Sequence, residues 1–182
     1  MVLIGPMATG KSTLGAALAE ALGTSQYPMD WVRWYYYLKN GYDLKHEKTL
    51  NNFRDKLTYW KPFEVDAVER IVQDFEGVID FGAGHAHFTQ PAHLSRVKAA
   101  LAGLTVVLIL PDPDLEKSLR ICNERMAERC EKPLTEDQLS TNAEFVHSES
   151  FRTLATHTFY TRDLSPEAAA SALIEMLGHD GP

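Results

Sequence analysis

Short apolar runs alternate with amphipathic segments along the whole 182-residue chain. The runs at residues 1–4, 77–80 and 104–110 have the length and composition of strands buried in a sheet. The second run along the chain, residues 24–29, is a weak strand candidate, and residues 157–161 are a short strand candidate. Between them, apolar side chains recur three or four residues apart, which predicts helices packed against that sheet. No repeat or Pro/Gly-rich linker divides the chain. The pattern therefore predicts one α/β domain over residues 1–182, with a five-stranded parallel sheet flanked by helices.

Several helical segments carry more specific predictions. Residues 31–40 predict a helix that places four apolar side chains on one face: Trp31, Trp34, Tyr35 and Leu38. That face suits packing against the core, although one or two of its rings could line a substrate pocket instead. Residues 43–59 predict a helix, residues 60–64 interrupt it, and Pro62 opens a second helix that ends near Gly77. Residues 127–142 are charged and predict a mobile surface segment, and residues 145–155 predict a helix.

A phosphate-binding motif follows the first apolar run. Residues 5–12 read GPMATGKS and match G-x-x-x-x-G-K-[ST] at every fixed position, between a predicted strand and a predicted helix. Gly5 and Gly10 allow the backbone to turn tightly and to direct its N–H groups at phosphate oxygens. Lys11 can reach the β- and γ-phosphates, and the Ser12 hydroxyl can ligate Mg²⁺. The motif predicts a three-layer P-loop fold that binds a nucleoside triphosphate, and the absence of an N-K-x-D run disfavours guanine.

Two aspartates stand near the ends of predicted strands. Asp80 ends an apolar run in the manner of a Walker B strand, so we expect it to serve Mg²⁺. Asp30 follows the second run, where ligands gather in open α/β sheets; it can orient a reacting hydroxyl, cap the helix that follows, or do both. His85 and His87 have no third metal ligand at a suitable spacing, so we expect them to line a pocket rather than to hold a transition metal.

Composition limits the partners. The formal net charge of −7 disfavours nonspecific binding to nucleic acid or to anionic membranes. The apolar stretches are too short to span a membrane. Cys122 and Cys130 lie about 12 Å apart along a predicted helix, too far for a disulfide, which suits two reduced thiols in the cytoplasm. We expect a cytoplasmic monomer or weak homodimer.

Several stretches together resemble shikimate kinases, within the nucleoside-monophosphate-kinase-like branch of P-loop folds. The stretches that carry the resemblance are GPMATGKST at residues 5–13, KPFE at 61–64, GAG at 82–84 and KPL at 132–134. The resemblance implies a sheet of order 2-3-1-4-5, a lid at residues 127–142 and an acceptor-binding helical region at residues 30–76. It implies Mg²⁺ and ATP as cofactors and a small hydroxylated acceptor.

The resemblance also implies roles for individual residues. The nucleotide would contact the phosphate loop and an adenine-side arginine, namely Gly5, Ala8, Thr9, Gly10, Lys11, Ser12, Thr13 and Arg125. Ser12 and Asp80 would serve the metal, and Lys11, Asp30 and Lys132 would act in catalysis. The acceptor would be framed by Asp30, Trp34, Lys61, Glu64, Gly82, Ala83, Gly84, His85 and His147. For Lys61 and Glu64 an exposed ion pair remains an equal interpretation.

The chain departs from this family where arginines bind the acceptor. Lys61 and His147 stand at two arginine positions, and Pro28 stands where the family has the first aspartate of Asp-x-Asp. Arginine binds a carboxylate with a two-pronged fork, whereas lysine is a point charge and histidine is often neutral. The sequence therefore favours a small-molecule kinase with a different acceptor over shikimate kinase itself. A third possibility is a nucleotide-binding regulatory ATPase without an acceptor.

Overall fold

A computed structural model describes residues 1–179, so the last three residues of the predicted domain lie outside the description. Five parallel strands form one sheet in the order β2-β3-β1-β4-β5. Their bounds are β1 Val2–Ile4, β2 Gln26–Pro28, β3 Val78–Asp80, β4 Val106–Leu110 and β5 His157–Tyr160. The predicted fold class and strand order are confirmed.

Nine α-helices and one 3₁₀ turn connect these strands within the described residues. The α-helices are α1 Lys11–Ala21, α2 Met29–Lys39, α3 Leu44–Glu47, α4 Phe53–Asp74, α5 Pro91–Ala100, α6 Leu115–Cys130, α7 Glu136–Val146, α8 Glu149–Leu154 and α9 Pro166–His179. The 3₁₀ turn spans Ala83–Ala86. None of these helices is long and apolar enough to cross a membrane.

The central strands are buried on both faces, which divides the core into two clusters. On β1, Val2 and Ile4 face one cluster while Leu3 faces the other, because alternate side chains of a strand point to opposite faces. Leu3 packs with residues of α1 and α9, and Val2 and Ile4 pack with residues of α4, α5 and α8. This arrangement is the predicted three-layer architecture, with the carboxyl ends of all strands at one edge.

The predicted interruption at residues 60–64 is wrong. Helix α4 runs through Pro62 without a break. A proline removes one intrahelical hydrogen bond, but burial of the flanking residues holds the helix together: Trp60, Glu64, Val65, Ala67, Val68 and Ile71. The consequence for the site is that Lys61 and Glu64 lie on one rigid helix.

The predicted core face of α2 is also wrong. Trp31, Tyr35 and Leu38 are 83%, 58% and 62% exposed, and Trp34 is half-buried. The buried residues are Met29, Tyr36 and Tyr37 on the opposite side. Asp30 lies in the first turn of this helix, whose N-cap is Pro28 without a side-chain cap bond, so the capping role expected of Asp30 is not observed.

Most of the segment predicted as a mobile lid is helical. Residues 127–130 complete α6, and α7 begins at Glu136 behind a capping box formed by Thr135 and Gln138. Only residues 131–135 connect the two helices. The helix predicted over residues 145–155 is divided, because α7 ends at Val146 and α8 begins at Glu149. Whether the segment moves as a lid stays a prediction.

Candidate active site

The phosphate loop, residues 5–12, joins β1 to α1 with a backbone that depends on its glycines. Gly5 has φ +145°, and a Cβ there would lie 2.5 Å from the Ile109 carbonyl oxygen on β4. Gly10 has φ +92° and is the N-cap of α1. The Thr9 hydroxyl is buried and donates to the Pro6 carbonyl at 3.3 Å. Close packing against β4 therefore shapes the loop around the N-terminus of α1, where a helix favours an anion.

Lys11 is held inside this loop. Its ammonium donates to the Pro6 carbonyl at 2.6 Å, and only 8% of the residue is exposed. Burial lowers the pKa of Lys11 to about 8, opposed by the negative charges of Asp30 and Asp80. The site thus holds a desolvated cation whose charge phosphate oxygens would stabilise.

A cavity of about 530 Å³ opens above the loop. One side is formed by residues 7–14, and another by two arginines of α6, Arg125 and Arg129. The guanidinium of Arg125 lies 3.5 Å from the Ala8 carbonyl oxygen. The remaining walls come from Thr161, Leu164, Pro166 and Ala169 on one side and from Asp30, Phe81, Gly82 and Ala83 on the other. The cavity therefore extends from the phosphate loop to residues predicted for the acceptor.

A glutamine connects the two residues predicted for the metal. The Gln26 amide donates to the Ser12 carbonyl at 2.8 Å and to the Asp80 carboxylate at 3.2 Å. Asp80 is buried at the end of β3. The Ser12 hydroxyl and the Asp80 carboxylate are hard oxygen donors of the type that Mg²⁺ prefers. Among residues 1–179 no three His, Cys, Asp or Glu side chains form a metal site, so a Mg²⁺ ion held here would take its further ligands from water and from a bound nucleotide.

The 3₁₀ turn packs tightly on two carboxylates predicted for the acceptor. A Cβ at Gly82 would collide with the Asp30 carboxylate, and one at Gly84 would collide with the Glu64 carboxylate. Lys61 donates to Glu64 at 2.6 Å and to the Gly84 carbonyl at 2.8 Å. Glu64 is 1% exposed and the Lys61 side chain is 17% exposed, so the two residues do not form the exposed surface ion pair that the sequence allowed as an alternative. The turn, α2 and α4 thus meet at one end of the cavity.

Arg33 lies beside these groups on the buried side of α2. Its guanidinium carbon is 4.6 Å from the centre of the Trp34 ring and 5.1 Å from that of Trp60. Its Nη1 lies 3.6 Å from Asp30 Oδ1, beyond hydrogen-bond distance. An arginine therefore lies behind Asp30, next to the cavity and not among the residues that line it, at a position that the sequence did not indicate.

The two histidines of the turn are packed rather than exposed. His85 is buried and bonds to the Tyr37 hydroxyl at 3.1 Å. Burial, together with the charges of Arg33 and Lys61, holds its pKa well below the usual value. Burial also lowers the pKa of His87 to about 4, and its Nδ1 lies 2.8 Å from the Ser148 hydroxyl. Both rings are thus neutral at pH 7.

Comparison with solved structures identifies related folds. The chain is similar to the shikimate kinase of Acinetobacter baumannii in complex with shikimate, at 20% identity and a TM-score of 0.68, over 98% of this chain and 92% of that one. It is similar to the shikimate kinase of Aquifex aeolicus vf5, at 21% identity and a TM-score of 0.63, over 98% and 96%. A gluconokinase from Sinorhizobium meliloti 1021 shares 19% identity and a TM-score of 0.57, over 100% and 96%. The chain has the shikimate kinase fold.

At these identities the similarity concerns the fold alone. No protein-family model and no curated protein sequence matches this chain. The shared fold nevertheless confirms the resemblance inferred from the sequence, and the low identity agrees with the departures at the acceptor positions.

The structure brings many of the predicted site residues to one cavity. Those that line it are Ala8, Thr9, Gly10, Lys11, Ser12, Thr13, Asp30, Gly82, Ala83 and Arg125. Gly84 and His85 belong to the 3₁₀ turn, and Lys61 and Glu64 contact it, behind the end of the cavity predicted for the acceptor. Trp34 is in the aromatic cluster with Tyr37 and Tyr42 rather than on the cavity wall.

Two further predicted residues, in the region around α7, lie away from the cavity wall. Lys132 is exposed in the connection between α6 and α7, and the residue of this region that lines the cavity is Arg129. His147 follows α7 as its C-cap, and its Nε2 lies 3.2 Å from a Glu116 carboxylate oxygen. Their predicted roles therefore depend on a movement of the segment around α7.

Sequence reasoning missed Gln26, Arg33 and Arg129. Arg129 stands four residues after Arg125, so both arginines share one face of α6. Arg33 lies four residues after the buried Met29 and four before the buried Tyr37, a spacing that places it on the inner face of α2. The signal for Gln26 is weak, because its partners Ser12 and Asp80 lie far from it along the chain.

Proposed function

We propose that this chain is a Mg²⁺–ATP-dependent kinase that phosphorylates a hydroxyl group of a small metabolite. The proposal includes the earlier expectation of a cytoplasmic protein that works as a monomer or weak homodimer. It rests on the phosphate loop, on the fold shared with shikimate kinases and a gluconokinase, and on the geometry of the cavity.

One observation carries the proposal. A single cavity connects the phosphate loop to Asp30 and to the start of the 3₁₀ turn. An ATPase without an acceptor has no need of a carboxylate held against Gly82 at the far end of its phosphate site. Asp30, with a side chain 59% exposed, is accessible to a ligand in that cavity.

The transfer step follows from this placement. The acceptor oxygen forms a bond to the γ-phosphorus, the bond from that phosphorus to the β–γ bridging oxygen breaks, and ADP leaves with the bonding electrons. Asp30 accepts the hydrogen bond of the acceptor hydroxyl, aligns it for attack and receives its proton. Lys11 and the loop amides stabilise negative charge on the transferred group.

The metal and the arginines complete the nucleotide side. Ser12 and Asp80 would hold Mg²⁺, which would neutralise negative charge on the phosphates during transfer. Arg125 and Arg129 face the same cavity from α6 and would contact the nucleotide. Thr161, Leu164 and Pro166 would form the wall beside its base.

The test is acceptor-dependent release of ADP from Mg²⁺–ATP, with a panel of polyols, sugars, hydroxy acids and nucleosides. We expect at least one compound to raise ADP release well above the rate with ATP alone. Stimulation by shikimate would identify shikimate kinase activity. ATP turnover that no compound stimulates would instead support a regulatory ATPase.

The role of Asp30 has its own test. We expect Asp30→Asn to lower acceptor-dependent turnover by about 10²-fold or more, while Mg²⁺–ATP binding stays nearly unchanged. Asp43→Asn is the matched control, because Asp43 caps α3 away from the cavity and asparagine also caps helices. Loss of Mg²⁺–ATP binding in Asp30→Asn would show that Asp30 serves the metal and not the acceptor.

A further inference from the structure

Arg33 is a cation in an unusual setting at the acceptor end of the site. Three aromatic rings surround its guanidinium, with the carbon 4.6 Å from the centre of Trp34, 5.1 Å from Trp60 and 5.9 Å from Tyr37. The side chain is 18% exposed. Stacking on aromatic faces supports a guanidinium and holds it in one orientation, but it does not satisfy its N–H groups.

The hydrogen bonds of this guanidinium are incomplete. Within the described residues, the buried Arg33 Nε has no hydrogen-bond partner. The ion pair with Asp30 is long, with 3.6 Å between Nη1 and Oδ1. A buried donor without a partner is costly, and the cost is greater when the group is charged. A ligand that supplied acceptor oxygens would remove that cost.

The other charges at this end of the cavity already have partners. Lys61 is paired with Glu64 at 2.6 Å and also donates to the Gly84 carbonyl at 2.8 Å. The neighbouring His85 is neutral, because burial and the two cations beside it lower its pKa. Its Nδ1 is a second buried atom without a partner in the described part of the chain. In the described part of this cluster Arg33 is therefore a cation that no carboxylate hydrogen-bonds, and its N–H donors remain for a ligand.

We propose that Arg33 binds an anionic group of the acceptor, so that the substrate is a hydroxylated metabolite carrying a carboxylate or a phosphate monoester. This inference rests on the proposed kinase function and deepens it. The guanidinium fork matches the paired oxygens of either group. Asp30 lies one helical turn before Arg33 and next to its Nη1, so the anionic group sits close to the reacting hydroxyl. The structure thus offers an arginine that could recognise an acid, although Lys61 and His147 stand at the two positions where the resembling family has arginines.

The test compares compounds that differ in charge but little in shape. The pairs are shikimate and its amide, D-gluconate and D-gluconamide, and sorbitol 6-phosphate and sorbitol. Two measurements are made on each: acceptor-dependent ADP release, and the change in tryptophan fluorescence on binding in the presence of Mg²⁺–ADP. The second measurement needs no turnover, and it reports on the site because Arg33 contacts Trp34 and Trp60.

We expect the wild-type protein to prefer the charged member of at least one pair by about tenfold or more, the range for a charged hydrogen bond. Arg33→Met keeps an unbranched side chain on the rings, and we expect it to reduce this preference to near unity through a higher KM or Kd. Arg33→Lys keeps the charge but not the fork, so part of the preference should remain. Arg70→Met is the matched control, because Arg70 is an exposed arginine of α4 that neither lines the cavity nor approaches Asp30, and it should keep the full preference.

The outcomes separate this inference from the proposed function. Charge-selective binding that depends on Arg33, without phosphate transfer, would support the anion site and count against the kinase. The anion site would be overturned if neutral members of the pairs were phosphorylated as fast as charged ones, or if folded Arg33→Met kept the full preference for the charged member. Either result would leave the proposed kinase function intact. The same conclusion follows if no charged member of the panel changes the fluorescence in an Arg33-dependent way. Should Arg33→Met fail to fold, an unchanged preference in Arg33→Lys would likewise overturn it.

Discussion

The buried lysine of the phosphate loop predicts that nucleotide affinity depends on pH in an unusual range. Lys11 donates to the Pro6 carbonyl at 2.6 Å and is 8% exposed, and burial lowers its pKa to about 8. The protonated form is the one that attracts phosphate oxygens. Bound phosphates place negative charge beside Lys11, which raises its pKa again. Nucleotide binding above pH 8 must therefore take up a proton.

The direction and size of the pH effect on nucleotide affinity follow from the pKa of Lys11. In the free protein, the protonated fraction of Lys11 falls from about nine-tenths at pH 7 to about one-tenth at pH 9, if its pKa is about 8. The affinity for Mg²⁺–ADP should fall by about tenfold over the same interval, or about 1.4 kcal/mol of binding free energy. Phosphate groups of the nucleotide titrate near pH 6 and contribute little above pH 7.5.

Isothermal titration calorimetry measures both the affinity for Mg²⁺–ADP and the proton uptake on binding. Titrations at pH 7, 8 and 9, each in two buffers of different ionisation enthalpy, give the affinity and the number of protons exchanged. We expect uptake of about 0.1 proton at pH 7 and about 0.9 at pH 9. Lys11→Met should bind weakly at every pH and lose the uptake, whereas Lys98→Met, which changes an exposed lysine of α5 outside the cavity, should behave like the wild type.

An affinity that stays constant from pH 7 to pH 9, with no proton uptake at pH 9, would refute the reasoning. It would mean that Lys11 keeps its charge in the free protein despite its burial. Loss of affinity in the Lys11→Met variant alone would not rescue the argument, since that result is expected of any phosphate-loop lysine.

Two further predictions concern the walls of the cavity. Arg129→Ala should weaken binding of a non-hydrolysable ATP analogue by about tenfold or more, because Arg129 lines the cavity. Lys132→Ala should weaken it much less, because Lys132 does not line the cavity. Equal losses of affinity in the two variants, measured by calorimetric titration, would contradict this prediction. Gly84→Ala should lower the free energy of unfolding by about 1–3 kcal/mol, since its Cβ collides with the Glu64 carboxylate. Gly178→Ala places its new methyl group in open space, so it should not lower the free energy of unfolding when both variants are measured by urea denaturation. An undiminished free energy of unfolding in Gly84→Ala would show that the turn can shift to accommodate the methyl group.

The nucleotide half of the site could be predicted from the sequence because its parts are contiguous. A strand, a glycine-containing turn and a helix N-terminus follow one another within residues 2–21, and each is specified by local chemistry. The same holds for β4, whose five apolar residues are all buried because a central parallel strand is covered on both faces.

Local reasoning failed where packing between distant elements outweighed it. Pro62 was expected to begin a helix, yet α4 passes through it because its buried face stabilises the helix more than one lost hydrogen bond destabilises it. On α2 both faces carry large apolar side chains, so periodicity alone does not say which face is inside. The contacts of α2 with α4 bury Tyr36 and Tyr37 and leave Trp31 exposed.

Only the tertiary structure decided the acceptor half of the site. Arg33 becomes a candidate anion ligand because the ring of Trp60 on α4, twenty-seven positions later, lies under its guanidinium. The Glu64 carboxylate reaches Gly84 because α4 packs against the 3₁₀ turn. Such contacts join groups from separate elements, and their distances depend on how helices pack against a sheet rather than on any local pattern. The chain sequence thus determines the phosphate-loop chemistry by itself, whereas the proposed anion site at Arg33 arises from the packing of α2, α4 and the turn.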